Sequence, residues 1–228
     1  TIVDEPDPHI RMTLVIALGK TKSVLAKNTL ISIVKTDADP RVRTNAIRAL
    51  QNFEYGAVEQ TALDALRDQN PQVVQAATQY FINNGVPPSA TLYWRTAKDT
   101  VLTWHAQVGL YQAANKYLPP YFEDNKRYIQ WELKRRFEGS NNPYEKAAVI
   151  DALSEFGWNY AWIKRLAFPA DEPVVRTASI RAFAKMLRNP NFDRTYGLGA
   201  RRIRGELINY LVEGISIGDP GMVAEAAI

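Results

Sequence analysis

A proline that follows an acidic residue or an asparagine recurs along this chain, each time at the head of a similar apolar segment. Successive copies of this proline lie 32, 31, 72, 30 and 47 residues apart. The interval of 72 corresponds to two repeats, so one copy has lost its proline. The interval of 47 contains a repeat and an insertion at residues 189–200. The prolines are Pro8, Pro40, Pro71, Pro143, Pro173 and Pro220. A period of this length is typical of arrays of stacked helical or mixed units.

Each copy is predicted to be a helix that begins at its proline. The preceding side chain can cap a free N–H group, and proline needs no donor at the first helical position. Val42, Ala46 and Leu50 then fall on one face at helical spacing. A second apolar helix is predicted upstream, as at residues 24–34, 57–66 and 121–137. We expect glycines to end three of these helices, namely Gly19, Gly85 and Gly157. Such hairpins bury their apolar faces only by stacking, so an all-α array is expected.

The segment Asp39-Pro40-Arg41-Val42-Arg43, with Ala46 and Leu50, resembles the second-helix signature of the HEAT-repeat family. The resemblance implies a right-handed α-solenoid of about six to seven hairpins. It also implies a structural ladder of acidic and arginine residues between layers, here Asp39, Arg43 and Arg176. The other ladder positions would be Arg11, Val74, Lys146 and Val223, with interruptions at both valines. We expect a single domain over 1–228, regular at 1–84 and 140–188 and divergent at 86–140.

The divergent middle is rich in aromatic residues. All five tryptophans lie between residues 93 and 168. They can fill a thickly packed core, or they can line a groove for a peptide or for nucleotide bases. Tyr128, Trp131 and Arg135 share one helical face and are candidates for such a groove. A structural role for the basic residues near that helix end is the simpler interpretation, because they complement the helix dipole.

Composition excludes several kinds of chemistry. The chain has no cysteine and only two histidines, which excludes disulfides and thiolate sites and disfavours a histidine-rich metal centre. We therefore predict no cofactor. No apolar run approaches the ~20 residues that span a bilayer. The net charge of +4 is compatible with an acidic partner or with nucleic acid. Because the chain starts without Met and ends in an apolar segment, we expect it to be a fragment of a longer protein.

These observations predict a non-catalytic scaffold that binds a protein or peptide. Stacked repeats present their second helices on a concave surface. The exposed ridge of that surface is predicted to carry Ile16, Arg48, Gln79, Asp151 and Arg181, and the partner-binding residues would be completed by Trp131 and Arg135.

Two alternatives remain open. Some HEAT-like solenoids are alkylbase DNA glycosylases, and Trp94 with Asp99 could imitate their Trp and Asp constellation. Separately, Tyr93-Trp94-Arg95 and Asn142-Pro143-Tyr144 resemble the HEAT region that precedes a cyclophilin-type domain in certain long bacterial peptidyl-prolyl isomerases. The second resemblance implies that the parent chain is an isomerase of the cell envelope or periplasm, with this segment as a non-catalytic accessory.

Overall fold

The computed structural model describes residues 2–119, 121–155, 159–168 and 171–216, and their regular structure is helical throughout. The chain divides into two compact units, Thr1–Pro119 and Pro120–Ile228, each of which is described by itself. The first contains α1 (Pro8–Thr21), α2 (Val24–Thr36), α3 (Pro40–Leu50), α4 (Glu59–Ala65), α5 (Pro71–Asn84), α6 (Ala90–Thr96) and α7 (Trp104–Tyr117). The second contains α8 (Glu123–Gly139), α9 (Pro143–Leu153), α10 (Tyr160–Trp162), α11 (Pro173–Leu187), α12 (Phe192–Tyr196) and α13 (Ala200–Ser216).

The predicted proline starts are confirmed at α1, α3, α5, α9 and α11. In four of them the preceding side chain accepts a hydrogen bond from the backbone N–H two residues later, at 2.8–3.0 Å. The capping residues are Asp7, Asp39, Asn70 and Asn142. At α11, Glu172 occupies the cap position without such a bond. The copy predicted at Pro220, with its ladder position Val223, lies outside the described residues, as do Gly157 and Trp158.

The first unit is a stack of helical hairpins. The pairs α2–α3, α4–α5 and α6–α7 each pack as a hairpin, and the second helices α1, α3, α5 and α7 pack on one another in that order. Val42, Ala46 and Leu50 of α3 are at most 1% exposed, as their spacing predicted. This arrangement confirms the expected all-α repeat architecture, since each layer contacts its neighbours along the chain.

The repeat that had lost its proline is the α6–α7 hairpin. Its second helix begins at Trp104, 33 residues after Pro71, so the period is kept. Thr103 replaces the acidic or amide cap, and its hydroxyl accepts from the N–H of Ala106 at 3.3 Å. Because threonine is also a good cap, the helix start survives without the proline.

The second unit repeats the pattern with a longer tail. Helix α8 pairs with α9, and α9 stacks on α11. Helix α10 continues into a π-helical turn at Ile163–Ala167 that packs on α11. The insertion at 189–200 forms α12 and a 3-10 turn, and buried Phe192 anchors it beside α13.

Gly19 does not end a helix, so that prediction was wrong. Helix α1 continues to Thr21, and its C-cap is Lys22 with φ of 54°. A Cβ at Gly19 would lie 2.8 Å from the Cβ of Ala49, so this glycine permits the close approach of α1 to α3. Gly85, in contrast, does follow α5 directly, as predicted.

Candidate partner-binding surface and the ladder beneath it

Helices α1 and α3 each carry an arginine that forms an ion pair with the loop of the following layer. The Nε and Nη2 groups of Arg11 donate to the two oxygens of Asp37 at 2.9 and 3.0 Å. Arg43 makes the same bidentate contact with Asp68, at 2.9 and 2.8 Å. Bidentate pairs of this kind combine charge attraction with fixed geometry. The two rungs hold the loops of successive layers in register.

The Nη1 group of each arginine donates to backbone carbonyl oxygens in the loop of its own layer. The Nη1 group of Arg43 donates to the carbonyl oxygens of Asp37 and Ala38, at 2.9 and 3.2 Å. Arg11 contacts the carbonyls of Glu5 and Pro6 equivalently. Each arginine therefore joins two successive loops, and the pKa of the Arg43 guanidinium is raised chiefly by its hydrogen bond to Asp68.

Asp39 was predicted as the ladder acid, and the structure corrects this. Its carboxylate caps α3 and pairs with Arg41 of the same helix at 2.7 Å. The hydrogen bond from Arg41 lowers the pKa of Asp39 to about 2. The ladder acid is Asp37, which also accepts from the N–H of Asp39 at 2.9 Å. The acid therefore stands two residues before the cap, where its side chain reaches the previous layer.

The ladder is interrupted at Val74, as its apolar side chain implies. Asp99 occupies the loop of the next layer and accepts instead from Arg67 at 2.6 Å. Gln107 stands at the ladder position of α7 and donates to the carbonyl oxygen of Asp99 at 2.6 Å. The third rung is thus replaced by contacts from a neighbouring loop and from an amide.

The second unit keeps one weaker rung. Lys146 contacts Glu172 at 3.3 Å, with the same sequence separation as Arg11 and Asp37. For Arg176, the described residues provide no hydrogen-bond partner to its buried Nε. The predicted ladder role of Arg176 stays a prediction, because the next copy lies beyond the described range.

The predicted ridge differs between the two units. In the first unit Ile16, Arg48 and Gln79 are all exposed on the second helices. In the second unit Asp151 and Arg181 pair with each other at 2.8 Å across α9 and α11. Lys185 and Glu155 form a further pair of the same kind at 2.5 Å. The two predicted ridge residues of the second unit therefore pair with one another.

Comparison with known families agrees with this geometry. A family model described as HEAT repeats matches residues 1–51 and 27–88. Residues 1–88 of this chain form HEAT repeats. The match covers α1 to α5, which include both arginine rungs. A comparison with curated proteins found no match to the chain.

Several aromatic side chains of the middle segment lie in the core, although Trp131 and Tyr121 are exposed. Tyr93 and Tyr111 are at most 2% exposed. The Tyr93 hydroxyl donates to that of Tyr55 at 2.5 Å and accepts from the N–H of Val86. Burial, followed by the hydrogen bonds of Tyr55 with Tyr93 and with Glu59, raises the pKa of the Tyr55 phenol above its usual range.

Trp131 is one of the exposed aromatic side chains, with 58% of its surface accessible. Its ring lies 5.9 Å from that of Tyr128 and 5.8 Å from the guanidinium of Arg135. Arg135 is held by a bidentate contact to buried Glu132 at 2.9 and 2.8 Å. The three predicted face residues are therefore together on α8, and the arginine is anchored as well as exposed.

The residues proposed to imitate a glycosylase site are both engaged by near neighbours. The Lys98 ammonium lies 3.7 Å from the centre of the Trp94 ring. Asp99 accepts from the Val101 N–H and from Arg67, and these two contacts lower its pKa. The Arg67–Asp99 contact joins the loop after α4 to the loop after α6.

A cavity of about 340 Å³ lies where the ladder is interrupted. It is lined by Pro71, Val74, Gln75, Thr103, Trp104 and His105. The Trp104 and His105 rings meet edge to face at 5.3 Å. Burial lowers the pKa of His105, so its imidazole is neutral at pH 7. Sequence reasoning missed this cavity, although valine at a ladder position was the available signal.

No described helix is both long and apolar enough to cross a membrane. The described residues also hold no cluster of three or more potential metal-binding side chains.

Proposed function

We propose that this chain is a HEAT-type scaffold that binds an acidic protein segment along the exposed face of α1, α3, α5 and α7. The observation that carries the proposal is the charge of these four fully described helices. They contain six lysines and arginines and no aspartate or glutamate. A surface with one sign of charge attracts a partner of the opposite sign and speeds its association.

The ion pairing of these basic residues defines which of them a partner would meet. Arg11 and Arg43 are consumed by the ladder, and Arg41 is paired with Asp39. Arg48 and Lys20 are exposed and form no ion pair with any described residue, while Lys116 donates to a backbone carbonyl. These three cations, with Gln79, form the surface that we call the basic ridge.

The second unit offers a contrast that supports assigning the binding to the first. Its second helices α9 and α11 carry two carboxylates, Glu145 and Asp151, and Asp151 neutralises Arg181. A partner would have to compete with that pair, whereas the basic ridge has no internal carboxylate to displace. Arg181 is therefore a poorer test position than Arg48.

A random peptide library displayed on phage tests the proposal. We expect the purified protein to select acidic peptides, and Arg48→Glu to weaken their binding about tenfold, which corresponds to about 1.4 kcal/mol. Arg95→Glu is the matched control, because Arg95 is exposed on the first helix α6 of the same unit. Thermal unfolding should be alike for both variants, since exposed substitutions typically change stability by less than about 0.5 kcal/mol.

The proposal fails if the selected peptides are neutral or basic, or if the two variants weaken binding equally. A nucleic-acid scaffold would behave differently. It would shift short DNA duplexes at micromolar concentration, with an affinity that falls steeply as salt rises. That result would replace the protein segment by DNA as the partner of the ridge.

We further propose that this segment is non-catalytic, in line with a scaffold whose candidate acid, Asp99, is held in an ion pair. The hypothesis that its parent is a cyclophilin-type isomerase remains a prediction. Reading the complete open reading frame tests it, because a cyclophilin domain would follow as a β-rich sequence. A continuation without such a sequence would refute it.

A further inference from the structure

The cavity beside Trp104 arises from the substitution that interrupts the ladder. In the two preceding layers an arginine side chain extends from the second helix to the next loop. Val74 is too short to reach that loop, and Asp99 is satisfied from Arg67 instead. The space that a rung would occupy is therefore left open, and Trp104 replaces the smaller proline at its edge. The cavity is therefore a consequence of the local sequence at this layer.

The lining of the cavity favours an aromatic ring. Its volume of about 340 Å³ is at the lower end of ligand pockets, enough for one large side chain and too small for a typical cofactor. The Trp104 indole, Pro71 and Val74 offer apolar surface on which a ring can pack. Gln75 and neutral His105 offer polar atoms at the same place, and His105 has no side-chain hydrogen bond within the described structure. An indole or phenol has both the flat apolar body and the polar atom that this lining matches.

The cavity lies at one end of the face that carries the basic ridge. His105 and Gln112 are two helical turns apart on α7, so they share one face. Gln112 stands at the same register position as Arg48 and Gln79 on the helices before it. A segment bound along the ridge can therefore place one side chain beside His105.

We propose that this cavity, here called the ladder-gap pocket, binds the tryptophan or tyrosine side chain of the acidic segment. This inference rests on the proposed function, and it adds an aromatic anchor to the acidic character of the partner. Buried aromatic anchors in a pocket, surrounded by weaker charged contacts, are a common arrangement of binding energy at protein interfaces.

Two variants that fill the pocket provide the test. Gln75→Trp adds bulk from an exposed position, and Val74→Arg restores a rung that can reach Asp99. Gln60→Trp is the matched control, because Gln60 is an exposed glutamine on α4 outside the pocket. The first variant keeps the test valid even if arginine at the buried position 74 disturbs folding.

The first measurement uses N-acetyl-tryptophanamide and N-acetyl-tyrosinamide. N-acetyl-alaninamide, which has no aromatic ring, is the control. We expect the two aromatic amides to shift the NMR signals of the Trp104 indole N–H and the His105 ring at millimolar concentration. The shifts should vanish in Gln75→Trp and persist in Gln60→Trp. Equal shifts with all three amides, or no shift at Trp104, would overturn the pocket.

The second measurement uses two acidic peptides of identical length that differ only by a central Trp or Ala. We expect the Trp peptide to bind wild-type protein about tenfold more tightly. This difference should disappear in Gln75→Trp, whereas Arg48→Glu should weaken both peptides by the same factor. If the two peptides bind equally and Arg48→Glu weakens both, the pocket assignment fails and the proposed function stands. If neither peptide binds, the proposed function fails even where the amides still occupy the pocket.

Discussion

Replacing Arg43 by methionine would remove one complete rung of the ladder while keeping most of the side-chain volume. The rung consists of two contacts to Asp68 at 2.9 and 2.8 Å and two to loop carbonyls at 2.9 and 3.2 Å. The two charged side chains are only 16% and 14% exposed. Methionine would leave Asp68 with the single hydrogen bond from the Asn70 N–H at 2.8 Å.

The expected cost follows from that exposure. Breaking a fully buried ion pair costs about 3–5 kcal/mol, because one charge is left without a partner. An exposed pair contributes about 0–1 kcal/mol. The Arg43–Asp68 pair is largely buried but reaches water, so we expect a loss of about 2–3 kcal/mol. Adding Asp68→Asn removes the stranded charge and should recover about half of the loss.

Native-state hydrogen exchange is the suitable assay, because it measures stability segment by segment. A loss of about 2–3 kcal/mol should speed exchange in α3 and α5 about 30- to 150-fold. Protection in α11 of the second unit should not change. Arg95→Met, at an exposed position, is the control. A change below about fivefold in α3 would show that the rung does not couple these layers.

The same rung predicts a pH effect. Burial alone would raise the pKa of Asp68, but the hydrogen bonds from Arg43 and Asn70 and the charge of Arg43 together lower it. A carboxylate with a lowered folded-state pKa stabilises the protein above its unfolded pKa, which is about 3.9. That stability is lost as pH falls below about 4 through the folded pKa. Arg43→Met should therefore be less acid-sensitive than wild type in this range, and an unchanged acid transition would contradict the argument.

Further changes test other parts of the structure. Gly109→Ala would place a Cβ 2.0 Å from the Cγ2 of Thr78, so overpacking should cost about 1–3 kcal/mol in urea unfolding. Adding Thr78→Ser removes that methyl group, and failure to restore stability would show that the clash is not the cause. Asp39→Ala should cost about 1 kcal/mol through loss of the α3 cap, whereas Asp39→Asn should be nearly neutral, because asparagine caps equally well. Lys146→Met should speed hydrogen exchange in α9 far less than Arg43→Met speeds it in α3, since the contact of Lys146 with Glu172 is long and partly exposed.

The sequence predicted the fold because its signals are local. Proline spacing, cap residues and apolar periodicity act within one helix, and the helix starts agree with them at α1, α3, α5, α9 and α11. The lost copy was also implied by the 72-residue interval, although its start at Trp104 was not. That start became visible only when Thr103 was seen as the cap.

The candidate surface was predicted less completely. Arg48 and Gln79 were placed on an exposed ridge, where the structure also has them. The absence of carboxylates from four second helices could have been read from the sequence once their bounds were known. The pairing of Asp151 with Arg181 could not, because those residues are 30 positions apart and meet only when α9 stacks on α11.

The sequence by itself determined where helices begin and which faces they bury. These properties depend on backbone hydrogen bonding and side-chain periodicity over a few turns. Only the tertiary structure decided that Asp37 rather than Asp39 completes the rung, and that Val74 leaves a pocket beside Trp104. The reason is that ion pairs and cavities depend on distances between layers, and those distances are set by how successive helices pack.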